Sequence, residues 1–263
     1  MSNAAAHHPA GPSHARRRTG LLGRRLALAL AAVCLTGVST GAEVGPALGA
    51  GNPPRVQATQ ELVVLDSSQV ARVAPQTGSP EVAVVAAQRP ITGEQTTLPV
   101  LARSVDAGGA EWLQVMLPGR PDGLTGWITQ SGTRGLVTPW RIIVDLSARR
   151  VKAYRNGELV KSFQAVVGKP STPTPTGEFF VEEVLQMAPG EPGGPYALAL
   201  SARSNVLAEF EGGPGQIAIH GRENLGGTLG TAASHGCMRL ATASIDWLAA
   251  RIEPGTPVTI DAG

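Results

Sequence analysis

The sequence brings its few reactive side chains close together. Beyond the arginine-rich first 42 residues the chain has one cysteine, Cys237, and two histidines, His220 and His235, all within the stretch 220–237. A cysteine thiol has a pKa of about 8.5, so only roughly 3% of it is thiolate at pH 7. A nucleophilic cysteine therefore needs a neighbouring imidazole or converging N–H dipoles. We interpret Cys237 as the candidate nucleophile.

His220 is the candidate general base. It ends a predicted strand over 216–220, and Gly221 after it lets the chain turn and leaves the imidazole at the strand end. If the loop 234–237 packs against that end, His220 can take the thiol proton and later return a proton to a leaving amine. The reaction class that this pair indicates is acyl transfer.

The glycine that precedes the thiol predicts an anion-binding turn. Gly236 allows a backbone conformation in which the N–H groups of Gly236 and Cys237, together with His235, converge on one point. Such a site stabilises the tetrahedral oxyanion that forms during acyl transfer. Gly236 and His235 are therefore candidate oxyanion-loop residues.

Other polar side chains near this stretch have two interpretations each. Ser234 either caps the loop or touches substrate. His235 either packs and orients the loop or acts as a second base, and we favour the first because one imidazole suffices to activate a thiol. Arg239 and Arg222 either hold the loop or bind a substrate carboxylate. Tyr196 either lies over the cleft or packs in the core.

A zinc site is the main alternative of a different class. His220, His235 and Cys237 are three side chains of the types that bind catalytic zinc. No further carboxylate is recognisably placed, and a glycine before the cysteine favours an anion hole over a metal centre. We predict no metal and no cofactor.

The C-terminal half predicts a curved β-sheet or sandwich with one helix. Asn156-Gly157 between two apolar runs indicates a type I′ hairpin. The run Thr242–Ile252 has helical periodicity, with Thr242 or Ser244 as its cap and Asp246 in its first turn. The proline-rich loop Lys169–Gly177 is interpreted as a rigid connector. Further strands are predicted at 141–145, 151–154, 159–160, 162–167, 177–185, 196–202, 216–220 and 257–260.

An N-terminal β domain is predicted over 59–135, with 132–139 as a linker and the catalytic domain over 138–262. Trp112 and Trp127 are interpreted as core aromatics. The segments around them resemble the end of bacterial SH3-like domains, and this resemblance implies a small barrel. Five strands are predicted, at 61–65, 81–87, 98–102, 111–117 and 126–128.

The first 42 residues have the layout of an export signal. Five arginines precede an apolar run over 26–38, which predicts either a cleaved signal peptide or an uncleaved membrane anchor, followed by a flexible spacer over 43–58. Removing this leader leaves 17 Lys and Arg against 20 Asp and Glu. Without a basic patch, nucleic-acid binding is not indicated.

The stretch from Ile219 to Leu240 resembles the signature of L,D-transpeptidases with the YkuD-like catalytic fold. It combines an upstream histidine with Ser234-His235-Gly236-Cys237, followed by an apolar residue and Arg239. The segment 174–177, Thr-Pro-Thr-Gly, is also similar to the family. One departure is Gly221, where some relatives have serine, so any contact that orients His220 must come from the backbone.

The resemblance implies an exported enzyme that remodels peptidoglycan without a cofactor. Cys237 would attack the third residue of a tetrapeptide stem, release D-alanine and pass the acyl group to an amine of a second stem, with His220 as base. Water or a protein amine as acceptor stays open, and sensitivity to carbapenems is implied. A catalytically silent wall-binding protein is a further alternative. A sortase-like enzyme is not supported, because the sequence has no Thr-Leu-x-Thr-Cys stretch.

Overall fold

Two large β-sheets, with two hydrophobic cores, and one small two-stranded sheet make up the fold of the described residues. The computed structural model describes residues 56–209 and 213–263, all of which belong to one compact unit. The first sheet has seven strands and the second has eight, and they divide at Pro139. This confirms the mainly β fold. The predicted leader over 1–42 lies outside the described residues, as does most of the predicted spacer over 43–58.

The first sheet has the order β3-β2-β6-β5-β4-β1-β7. Strands β2 and β6 alternate more and less buried side chains. Trp112 is buried, while Trp127 is half-buried. The resemblance to an SH3-like domain stays a prediction. The strand bounds are β1 Gln60–Leu65, β2 Gln69–Arg72, β3 Glu81–Val85, β4 Thr97–Val105, β5 Glu111–Met116, β6 Thr125–Thr129 and β7 Thr133–Thr138.

The predicted linker over 132–139 is wrong, because most of it is strand β7. This strand pairs with β1 along its whole length, from Gln60 opposite Thr138 to Leu65 opposite Thr133. Strand β2 was also not predicted. Most β7 side chains are exposed, so the strand lacks the apolar alternation by which a sequence indicates a half-buried strand.

The second sheet has the order β10-β9-β8-β17-β12-β13-β14-β16, and β11 pairs with β15 in a small parallel sheet of two strands. The predicted hairpin is confirmed: Asn156 and Gly157 both have positive φ and join β9 to β10. The strand bounds are β8 Trp140–Asp145, β9 Arg150–Arg155, β10 Glu158–Gln164, β11 Val167–Gly168, β12 Gly177–Gln186, β13 Tyr196–Arg203, β14 Gln216–His220, β15 Ala232–Ser234, β16 Met238–Arg239 and β17 Pro257–Asp261.

Helix α1, Thr242–Ala249, is shorter than predicted. Its N-cap residue is Ala241, whose side chain has no acceptor, so the predicted caps at Thr242 and Ser244 are wrong. Asp246 also lies beyond the first turn. The apolar face was predicted correctly, since Ile245 and Leu248 are buried in the core of the second sheet. The helix follows β16 and packs against β13, and its buried residues share a core with Ile219 of β14 and Met238 of β16.

A buried ionic cluster joins the two sheets. Glu182 on β12 has a fully buried side chain that contacts Arg89, which precedes β4, and Arg203 on β13, whose Nη2 lies 2.9 Å from the carboxylate. Glu183 is also buried and accepts a 2.8 Å hydrogen bond from the Thr92 backbone N–H. A buried charge is stable only when it is paired, so this cluster depends on every partner.

We expect Glu182→Gln to lower the free energy of unfolding by about 3–5 kcal/mol, because it leaves Arg89 and Arg203 without their shared carboxylate. Urea unfolding at pH 7 measures the change. The matched control is Glu178→Gln on the same strand, whose side chain is 61% exposed and whose loss should cost about 1 kcal/mol or less. Equal losses in both variants would contradict this role.

Candidate active site

Parallel pairing of β14 with β16 brings the reactive residues to one face of the sheet edge. Ile219 lies opposite Met238 and His220 lies opposite Arg239. Ile219 and Met238 are fully buried, so the side chains of His220 and Arg239 occupy the other face. Cys237 directly precedes β16 and lines the same cavity as His220 and Arg239. Its Sγ atom lies 4.0 Å from the carbonyl oxygen of Gln216 at the start of β14.

These residues line a cavity of about 350 Å³. Its polar wall contains the half-buried Cys237 and His220, the exposed His235, and Arg239. The rest of the wall comes from the loops before and after β13, from the start of β14 and from the segment after His220. Those residues are Pro192, Ser204, Leu207, Gly215, Gln216, Ile217 and Leu225.

The imidazole of His220 is held by the backbone. Its Nδ1 atom lies 2.7 Å from the carbonyl oxygen of Gly221. A carbonyl oxygen only accepts, so Nδ1 carries the proton and Nε2 of the neutral ring keeps its lone pair. The prediction that a backbone group orients this ring is confirmed. Gly221 must lack a side chain, because a Cβ atom there would collide with the carbonyl oxygen of Gly194.

Several groups around His220 change its basicity. Burial lowers the pKa of His220 below its ordinary value, and the positive charge of Arg239 lowers this pKa further. Hydrogen bonds with the backbone of Gly221 and Gly193 act in the opposite direction. The net lowering keeps the ring neutral at pH 7, which is the form that can accept a proton.

Ser234 closes the loop that carries the thiol. Its Oγ atom donates a 2.6 Å hydrogen bond to the carbonyl of Cys237 and accepts a 3.1 Å bond from the N–H of Gly236. These two hydrogen bonds are the loop-capping contacts predicted for Ser234. The prediction for Gly236 needs correction, because its N–H points to Ser234 and not to an oxyanion. Gly236 has φ +123°, a conformation that favours glycine.

The proline-rich loop, residues 169–177, packs against the thiol loop, residues 234–237, and the sequence did not predict this contact. The Oγ1 atom of Thr172 donates to the carbonyl of Ser234 at 3.1 Å, and that of Thr174 donates to the carbonyl of Gly236 at 2.7 Å. Both threonines are buried. The proline-rich loop, which we interpreted as a connector, is thus in direct contact with the thiol loop. The sequence signals were the threonines at alternate positions and the family-like segment 174–177, neither of which indicated this contact.

The guanidinium of Arg239 uses only some of its hydrogen-bond donors. Its Nη1 atom donates to the carbonyl of Gly226 at 2.9 Å, while its Nε is buried and has no hydrogen-bond partner among residues 56–209 and 213–263. Arg239 therefore holds the segment that follows His220 and also lines the cavity. Both interpretations made from the sequence are compatible with this position.

Two candidate substrate-binding residues lie away from the cavity wall. Tyr196 packs against the core of the second sheet, and its carbonyl accepts a hydrogen bond from the Gly221 N–H. Arg222 is half-buried, and its carbonyl accepts a bond from Leu225. Neither side chain contributes to the wall that the described residues form. A role of either side chain in binding substrate stays a prediction.

Arg120 of the first sheet shapes the cavity and was missed from the sequence. It lies in the loop between β5 and β6 and donates to the carbonyls of Ser204 at 2.7 Å, Leu207 at 3.1 Å and Pro214 at 3.2 Å. Ser204 and Leu207 line the cavity. Arg120 lies in a Gly- and Pro-rich loop, and nothing in the neighbouring sequence indicates its hydrogen bonds to the cavity wall.

A metal centre is not formed by the described part of the chain. Across 56–209 and 213–263, no three His, Cys, Asp or Glu side chains are grouped so that they could hold a metal ion. In the same ranges no helix is both long and apolar enough to span a bilayer.

Comparison with known proteins gives similarities over the second sheet and part of the first. Residues 139–260 match the YkuD family, described as the L,D-transpeptidase catalytic domain. The Bacillus subtilis (strain 168) protein that carries the name L,D-transpeptidase YkuD is 32% identical over 158 residues, which are 60% of this chain and 80% of that protein. The Bacillus licheniformis protein of the same name is 36% identical over 46% of this chain and 66% of its own length.

Solved structures show weaker overall similarity. A crystal structure of an Enterococcus faecium L,D-transpeptidase mutant aligns with a TM-score of 0.37 and 25% identity, over 46% of this chain and 49% of its own. This chain thus spans about half of that enzyme. An L,D-transpeptidase from Mycobacterium smegmatis aligns with a TM-score of 0.37 and 19% identity, over 74% of this chain and 99% of its own.

Proposed function

We propose that this chain, which belongs to the L,D-transpeptidase family, cross-links peptidoglycan stem peptides through an acyl-enzyme on Cys237. The observation that carries this proposal is that Cys237 and His220 line one cavity beside the paired strands β14 and β16. Family members act on peptidoglycan outside the cytoplasm, so we place this protein there as well. The export signal predicted over 1–42 is consistent with that location.

In the first half-reaction the thiol of Cys237 forms a thioester. The Nε2 atom of neutral His220 takes the thiol proton, and the thiolate attacks the carbonyl carbon of the third stem residue. The tetrahedral intermediate carries a negative oxygen that needs N–H donors. When it collapses, the C–N bond breaks, and His220 gives its proton to the amine of the departing D-alanine.

The second half-reaction transfers the acyl group. A side-chain amine of a second stem attacks the thioester, His220 takes the proton of that amine, and the thiolate leaves and is reprotonated. The product is an amide between two third residues, a 3-3 cross-link. Water at the same position would give a tripeptide instead, and an amine of an envelope protein would give a protein attached to peptidoglycan.

Product analysis tests this proposal. The purified protein is incubated with a disaccharide-tetrapeptide, and the products are separated and weighed by mass spectrometry. A dimer that has lost one D-alanine is the expected result, whereas a tripeptide would assign hydrolysis. Unchanged substrate that still binds the protein would overturn the proposal in favour of a silent wall-binding module.

We expect Arg239→Gln to move the acid limb of the pH profile of kcat/KM to higher pH. Arg239 lowers the pKa of His220, so removing its positive charge raises that pKa, and the ring becomes protonated at a higher pH. The measurement is kcat/KM for D-alanine release between pH 4 and 8, a range set by the roughly 6.5 pKa of an unperturbed histidine.

A second arginine gives the matched control for this shift. Arg251 packs on the ring of Trp247 beside helix α1 and does not line the cavity. Arg251→Gln removes the same charge from the chain and should leave the acid limb where it is. An acid limb that stays in place in Arg239→Gln would show that Arg239 does not influence the base.

A further inference from the structure

The strongest unassigned feature lies behind the thiol loop, where the proline-rich loop 169–177 supplies two buried hydroxyls. Thr174 donates to the carbonyl of Gly236 at 2.7 Å, and Thr172 donates to the carbonyl of Ser234 at 3.1 Å. The backbone N–H of Lys169 also donates to Ser234, at 3.0 Å. The proline-rich loop thus holds alternate carbonyls of the thiol loop on its own side.

Fixing these carbonyls also fixes two N–H groups. In a trans peptide the C=O and the N–H of one plane point in opposite directions. The carbonyl of Ser234 shares its plane with the N–H of His235, and the carbonyl of Gly236 shares its plane with the N–H of Cys237. With both carbonyls turned toward the proline-rich loop, the two N–H groups point away from it. The intervening N–H, that of Gly236, is turned to Ser234 Oγ.

The composition of the cavity wall indicates that these two N–H groups point toward the cavity. His235 and Cys237 line it, whereas its wall includes none of the residues 169–177, all of which are described. A hydrogen bond to a peptide carbonyl also polarises the plane, so the N–H at its other end becomes a stronger donor. Both orientation and polarisation favour an oxyanion in the cavity.

We propose that Thr172 and Thr174 are positioning residues that aim and polarise the N–H groups of His235 and Cys237 toward the oxyanion. This inference rests on the proposed function, because the oxyanion exists only if Cys237 attacks a carbonyl. The two hydroxyls do not touch substrate; they act through the peptide planes of the thiol loop.

The construction of the proline-rich loop supports this assignment. Pro173 and Pro175 flank Thr174, fix their own φ angles and carry no N–H that could compete for the carbonyls. Gly168 approaches this loop so closely that a Cβ atom would collide with the backbone nitrogen of Thr174. The Gly168 N–H donates to Thr174 Oγ1 at 3.0 Å, which directs the hydroxyl proton to Gly236.

The test compares two reactions of the same thiol in purified full-length protein. Acylation by imipenem passes through a tetrahedral oxyanion, whereas alkylation by iodoacetamide does not. We expect Thr174→Val to slow acylation about 10- to 100-fold, as expected when an oxyanion donor is weakened or misdirected. Its alkylation rate should stay that of the wild type. Thr174→Ser keeps the hydroxyl and should restore acylation.

Matched variants keep the test decisive. Thr176→Val alters an exposed threonine of the same loop and should change neither reaction. Thr172→Val leaves the Ser234 carbonyl its bond from Lys169, so it should fold even if Thr174→Val does not, and it should show a smaller selective loss of acylation. Circular dichroism establishes that each variant is folded.

The outcomes separate this inference from the proposed function. Wild-type acylation in Thr174→Val and Thr172→Val would overturn the positioning role while leaving the enzyme proposal intact. An equal slowing of acylation and alkylation would also overturn it, since that result means a displaced thiol. A wild-type protein that neither acylates nor releases D-alanine would overturn the proposed function itself, and the inference with it.

Discussion

Cys237→Ala is expected to abolish acyl-enzyme formation and D-alanine release, lowering kcat by about 10⁴-fold or more. Without the sulfur no thioester can form, and the loop and cavity that remain can only bind the stem peptide. The half-buried thiol lines the cavity together with His220, so its removal should leave the fold intact. Intact-protein mass spectrometry after incubation with imipenem, together with an assay for released D-alanine, measures the loss.

The chain supplies its own control for this experiment. Cys34 is the only other cysteine and belongs to the predicted leader. Cys34→Ser should retain full acylation, with the added mass found on the peptide that contains Cys237. Acylation of Cys237→Ala at a rate near that of the wild type would mean that another group is the nucleophile.

The sequence predicts the reactive pair well because these residue types are rare and their chemistry is specific. Cys237 and His220 were singled out by scarcity and spacing, and the structure brings both to one cavity. The hairpin at Asn156-Gly157 was predictable for a similar reason, since its positive φ angles demand particular residues. The catalytic roles of the pair stay predictions until the variants are measured.

What the sequence could not predict depends on contacts between distant segments. Thr172 and Thr174 each bond a residue 62 positions away, and Arg120 reaches Ser204 across 84 positions. Strand β7 exists because it pairs with β1, although its own side chains are mostly exposed. Local periodicity and propensity carry no signal for such contacts, because tertiary structure alone brings the partners together.

The error at Gly236 has the same origin. A glycine before a cysteine indicated an anion-binding turn, and the turn exists, with φ +123°. Which N–H groups face the cavity was decided by Ser234 Oγ on one side and by the threonine hydroxyls on the other. Residue type predicted that the backbone would turn, but only the three-dimensional contacts determine the direction of each peptide plane.

His220→Gln is expected to lower kcat/KM at pH 7 by about 10²- to 10⁴-fold, the usual contribution of a positioned general base. Glutamine approximates the size of the ring but cannot take the thiol proton. Its pH dependence should also change. In the wild type the lowered pKa of His220 keeps the base neutral to below its ordinary value of 6.5, so the acid limb lies below that pH. In the variant the rate should instead rise through the thiol's own pKa, about 8.5.

The rate of Cys237 alkylation by iodoacetamide, measured from below the pKa of His220 to above that of the thiol, reports the shift of the acid limb. This measurement does not depend on catalytic turnover. His235→Gln is the control, because His235 is exposed and was interpreted as a loop residue. Its variant should keep the acid limb of the wild type even if its overall rate changes. A His220→Gln profile that coincides with the wild type would mean that another group ionises the thiol. If His235→Gln alone shifted the profile, the assignment of the base would pass from His220 to His235.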